Sequence, residues 1–204
     1  MDREEATRAL ELLTKVVAQA RDESSLQNWG AIWICNGISN ATGFVLTQVF
    51  FWHSCGPLHF AVLWATILSV NLTTIFVMKR GQSAGTRTFI ENQIWAIWTA
   101  FIVGAVVVAF LNLILGLDRL FAGPVMCVLA AFAFSQMGAV MGRRWYAMSA
   151  VFVTAALVAA AEPAWQFVVL GVLWCVVQSG AGVVLLLERR RRLAAHGGTE
   201  ARLV

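Results

Sequence analysis

The side chains in this sequence best suited to chemistry are amides set inside apolar runs. Asn36, Asn40, Gly43 and Thr47 recur at i, i+4, i+7 and i+11, the spacing that lines one face of a helix, with Ser39 beside them. Ala131, Ser135, Gly138 and Gly142 repeat those offsets, as do Gly171, Cys175, Gln178 and Gly182. Small and polar faces of this kind gain nothing from lipid and turn toward other helices. At ~1.5 Å of rise per residue, Asn36, Asn40, Asn71, Ser135, Gln136 and Gln178 fall in one layer near the middle of the apolar runs, with Trp174 one turn from Gln178. Amides both donate and accept, so the layer either joins helices or captures a neutral or zwitterionic solute. Because the asparagine stripe continues into Gly43 and Thr47, as a close helix contact requires, packing is the expected use.

A second cluster, His53, Cys55 and His59, has metal-ligating side chains within seven residues, Gly56 and Pro57 between them marking a turn. A closed site usually needs four ligands, and only Asp118 or Glu162 is placed to help, so no metal is expected. Other chemistries lack parts. No histidine lies mid-run to activate Ser135 as a nucleophile or to ligate haem, and no clustered carboxylates would hold a metal for phosphoryl transfer. Glu91, Asp118, Glu162 and Glu188 stand at the ends of runs, which disfavours proton- or sodium-coupled transport. The expectation is a non-catalytic protein without a cofactor.

The elements that must position these groups follow from composition. Of 204 residues, 59% are apolar and 13% charged, and the mean hydropathy is +0.73, whereas soluble domains are about half apolar and about a quarter charged. Soluble enzymes, nucleic-acid binders and disordered chains are excluded together, and the expected surroundings are a lipid bilayer. Six runs approach the about 20 residues that cross a hydrocarbon core: 29–51, 57–78, 90–115, 124–142, 145–161 and 164–187. The sequence thus predicts an all-α, polytopic membrane protein, a six-helix bundle over residues 27–188 with a basic tail at 189–204.

The net charge of +4 is distributed in clusters between the runs. Lys79, Arg80 and Arg87, then Arg143 and Arg144, then Arg189 to Arg192 follow alternate runs, while the other connections hold only Arg119. The positive-inside rule therefore predicts a plasma (inner) membrane protein with both termini cytoplasmic. Trp29, Trp33, Trp52, Trp95, Trp98, Trp145 and Trp165 lie toward run ends and read as interfacial anchors, whereas Trp64 and Trp174 lie deeper. The four cysteines form no CxxC or zinc spacing, and no disulfide framework is expected.

Residues 1–26 read as a cytoplasmic amphipathic helix and linker. Asp2 and Glu5 form a capping box, and Ala6, Leu10, Leu13, Val17 and Ala20 make a 4, 3, 4, 3 seam. The seam segment is net acidic, which favours protein contact over anionic lipid. The sequence accordingly predicts a membrane subunit or adaptor with a protein partner or a second copy, the alternative being a membrane-embedded binding or transport component for a small solute.

Overall fold

A computed structural model describes residues 28–80, 89–115 and 121–200. Among them there is no strand. The helices are α1 (Trp29–Trp52), α2 (Pro57–Lys79), α3 (Phe89–Leu115), α4 (Ala122–Met141) and α5 (Arg144–Ala161). A sixth, composite segment starts as a 3-10 turn at Pro163–Trp165, continues through α6 (Gln166–Trp174) and a π-helical turn at Cys175–Ser179, and ends in α7 (Gly180–Glu200). The protein is all-α, and five segments are long and apolar enough to cross a membrane: α2, α3 from Ile90, α4, α5, and the composite from Pro163 to Arg191. The amides and hydroxyls of α1 leave it outside that group of five, although at 24 residues it has the length of a crossing. The amphipathic seam Ala6, Leu10, Leu13, Val17 and Ala20 lies outside the described residues.

Local sequence explains where the helices begin and stop. Pro57 opens α2 at a position where its missing N–H is no loss. Gly142 ends α4 with φ +109°, a conformation that L side chains rarely adopt, so the chain reverses into α5 within two residues. Pro163 likewise restarts the chain after α5. Helix α7 continues through Arg189 to Arg192.

Helix α1 is the hub, packed on α2, α6, the π turn and α7, while α5 lies along α4 and α3 packs on α4. The hub contact is close because it is made of small residues. A Cβ on Gly182 would stand 2.5 Å from the Gly30 carbonyl oxygen, one on Gly37 would stand 2.6 Å from Ser179 Oγ, and one on Gly171 would stand 3.0 Å from the Ala41 carbonyl. Gly138 makes room for the Tyr146 ring of α5. Its GxxxG partner, Gly142, faces open space and serves the turn instead.

Three of the seven tryptophans read as interfacial anchors are core residues, which corrects that part of the sequence reading. Trp145 is 1% exposed, and Trp29 and Trp33 are also buried. Trp33 meets Trp145 at 5.0 Å and Trp98 at 5.8 Å between ring centroids, both edge to face, and Phe134 stacks on Phe152 at 5.2 Å. Edge-on aromatic pairs add about 0.5–1.5 kcal/mol each beyond area burial, which suits a bundle that gains little from burying aliphatic surface away from lipid. Trp52 and Trp165, 52% and 54% exposed, pair at the opposite end.

Candidate functional site: an amide layer around the π turn

Three of the six amide and hydroxyl side chains expected in one layer, Asn40, Asn71 and Gln178, meet in one chain of contacts, with Trp174 beside them. Asn71 Nδ2 on α2 donates to Asn40 Oδ1 on α1 at 2.8 Å. Asn40 Nδ2 points to Gln178 Oε1 in the π turn at 3.5 Å, and the same oxygen accepts from the Trp174 indole N–H. Asn71 and Gln178 are 9% and 6% exposed. The chain of contacts thus links α2, α1, the π turn and α6. A π turn widens the helix at this level, and Gln178 lies within it.

The layer closes on itself. Phe44, Trp98, Phe101 and Phe152 surround the Trp174 ring at 5.6, 6.3, 5.5 and 5.4 Å between centroids. Ser179 presses against Gly37 at the side of the layer. Asn36, one turn from Asn40, is half-buried, and its Oδ1 has no hydrogen-bond partner among the described residues; nor does Asn71 Oδ1. Ser135 is half-buried on α4, outside the chain of contacts, and Gln136 is exposed. These two are close in height but not in direction: each residue turns a helix by about 100°, so Gln136 leaves the face that Ser135 approaches. The stripe also divides. Gly43 meets Ile67 of α2, and Thr47 Oγ1 returns its hydrogen bond to the Gly43 carbonyl at 2.8 Å.

An apolar groove of about 300 Å³ lies beside the layer, lined by Ile38, Ala41, Thr42, Val45, Leu46 and Cys175. It opens outward and presents hydrocarbon rather than the amides.

The His53, Cys55 and His59 cluster occupies the far end, at the α1–α2 turn. His59 packs edge-on against Phe50 and approaches the Gly56 carbonyl with Nδ1 at 3.3 Å, while His53 is exposed. Among the described residues, no three His, Cys, Asp or Glu side chains are grouped as a metal site would need.

Two polar arrangements went unforeseen. Gln48 is buried and accepts a hydrogen bond from the Phe167 N–H at 3.1 Å, satisfying one of the free donors at the start of α6. Its signal was present, since it lies two turns beyond Asn40 on the same stripe. At the basic end, Lys79 pairs with Glu91 and lies over the Trp29 ring at 4.9 Å and the Trp95 ring at 5.7 Å. Arg144 pairs with Glu188, and Asn28 Nδ2 donates to the Met78 carbonyl at 3.1 Å. These contacts place the ends of α1, α2, α3, α5 and α7 that carry Lys79, Arg144 and Arg189 together.

Comparison of the chain with protein-family models, with curated proteins and with solved structures finds no match in any of the three.

Proposed function

We propose that this chain is a non-catalytic, multi-pass membrane subunit or adaptor that crosses the bilayer six times, with α1 as the polar-lined central crossing. The observation that carries this reading is the chain of hydrogen bonds that links Asn71, Asn40, Gln178 and Trp174 across α2, α1, the π turn and α6. A solute site keeps its convergent polar groups free for the ligand, whereas here Asn40, the Asn71 N–H group and the Gln178 oxygen are used to join helices. The partner surface in this reading is α3, the most apolar and least buried of the five apolar segments, together with the acidic amphipathic seam near the N-terminus. The basic ends face the cytoplasm of a plasma (inner) membrane, in keeping with the positive-inside rule.

A second reading, a binding or transport component for a small neutral solute, draws on one observation: Asn36 Oδ1 and Asn71 Oδ1 are buried acceptors without donors. Co-purification from native membranes, followed by mass spectrometry, separates the two. The subunit reading expects a stoichiometric protein partner or a second copy, its recovery reduced by charged substitutions on the exposed face of α3. A monomer that retains a small polar molecule, lost in Asn36→Leu, would favour the second.

A further inference from the structure

We propose that the basic end of the bundle holds a binding site for the phosphate headgroup of an anionic phospholipid, built on Arg143, Arg190 and Arg191. The inference rests on the helices crossing a bilayer and is independent of the subunit reading. Three other basic side chains at this end are engaged: Lys79 with Glu91, Arg144 with Glu188, and Arg189 with the Asn28 amide oxygen at 3.5 Å. Arg143, Arg190 and Arg191 are exposed and meet no carboxylate among the described residues. The Arg144–Glu188 pair ties this end of α5 to α7, with Arg143 directly before Arg144 and Arg191 three residues after Glu188 on the same side of α7, while Arg190 is turned about 200° from Glu188 toward the side of Val183. The pair spends the local acid on Arg144 and leaves three guanidinium groups exposed at one end of α5 and α7.

The chemistry selects the occupant. Guanidinium groups match phosphate oxygens in bidentate pairs and are less strongly hydrated than ammonium groups, which favours a partly dehydrated anion. A lipid is chosen over free phosphate because the arginines adjoin exposed apolar surface: Val183, Val184 and Leu187 on α7 precede them and end where they begin. A phospholipid places its acyl chains along that surface while its phosphate meets the arginines.

The test uses the full chain in mixed detergent micelles containing equal phosphatidylcholine and phosphatidylglycerol, with retained lipid read by native mass spectrometry. At low salt the wild type should hold phosphatidylglycerol in preference to phosphatidylcholine. Each arginine contributes about five-fold, so R143Q/R190Q/R191Q should lose on the order of a hundred-fold of that preference. The triple lysine variant, which keeps the charge but not the bidentate geometry, should keep only part of it, and Arg80→Gln, at the end of α2, should leave it nearly unchanged. Should the triple glutamine variant fail to fold, R190Q/R191Q is expected to lose about 25-fold by the same constants. Equal retention of the two lipids by the wild type would overturn the proposal, as would undiminished preference in the glutamine variants. Complete displacement by inorganic phosphate would also overturn it, by identifying a free-anion site.

Discussion

Asn71 and Asn40, 31 residues apart and on different helices, share a 2.8 Å hydrogen bond in which Asn71 donates and Asn40 accepts. Asn40 uses its own N–H group toward Gln178, 138 residues away, so a single amide joins three segments in the apolar interior. Leaving such a group unsatisfied is costly where no water competes, and the reciprocal use of both ends of Asn40 avoids that cost.

The first prediction concerns this amide. Asn40→Leu removes both links and strands donor and acceptor partners, and should cost about 1–2 kcal/mol of stability in detergent. Asn36→Leu removes an oxygen that has no partner among the described residues and should be neutral or slightly stabilising. Thermal unfolding of the two variants side by side checks the order; an equal or larger loss for Asn36→Leu would mean that Asn36 is engaged by something the layer binds.

Much of this arrangement was legible in the sequence, because spacing on a helix converts directly to a shared face. Asn40, Asn71, Gln178 and Trp174 meet as their positions imply, and the helices start and stop near the expected residues, where Pro57, Gly142 and Pro163 interrupt apolar runs. The π turn was not legible: Cys175–Ser179 carries no residue that forces it, and what it does in the fold, packing on Gly37 and meeting Asn40, is tertiary. Nor were the tryptophan directions. Position along a span gives depth, and depth alone placed Trp33 and Trp145 near an interface, but rotation about the helix axis turns both inward. Gln136 illustrates the same limit in reverse, sharing the depth of the layer while facing away from it.

The small-residue seam between α1 and α7 gives a second prediction. A methyl group on Gly182 would meet the Gly30 carbonyl at 2.5 Å, a backbone atom that can yield only if the helices part. Gly182→Ala should therefore cost about 1–3 kcal/mol. Gly180→Ala, helical with open space around it, should be neutral or gain up to about 1 kcal/mol from helix propensity. Denaturation of both variants would contradict the seam if the two behaved alike.

Lys79 supplies a third. Its partner Glu91 is buried, and the ammonium also lies over Trp29 and Trp95. Lys79→Met should lower stability by about 1–3 kcal/mol, because it removes the ammonium group paired with a buried carboxylate. Adding Glu91→Gln to it should recover part of the loss. If the double variant were as unstable as the sum of the two singles, the pair would not be energetically coupled.

The cluster of His53, Cys55 and His59 at the α1–α2 turn should hold no stoichiometric metal, since His59 is turned toward Phe50 and the Gly56 carbonyl. Elemental analysis of protein purified without chelator checks this; about one zinc or copper per chain, lost on replacing both histidines, would refute it.

Six crossings, with α1 among them, form the central claim, and side-specific labelling of single cysteines in sealed vesicles tests it most directly. In a background lacking Cys35, Cys127 and Cys175, native Cys55 is labelled by an impermeant reagent from one side. With Cys55 also replaced, cysteines introduced singly at Asn28, Arg80, Arg143 and Arg190 should all be labelled only from the other. Labelling of Asn28→Cys from the same side as Cys55 would show that α1 does not cross and would contradict the account.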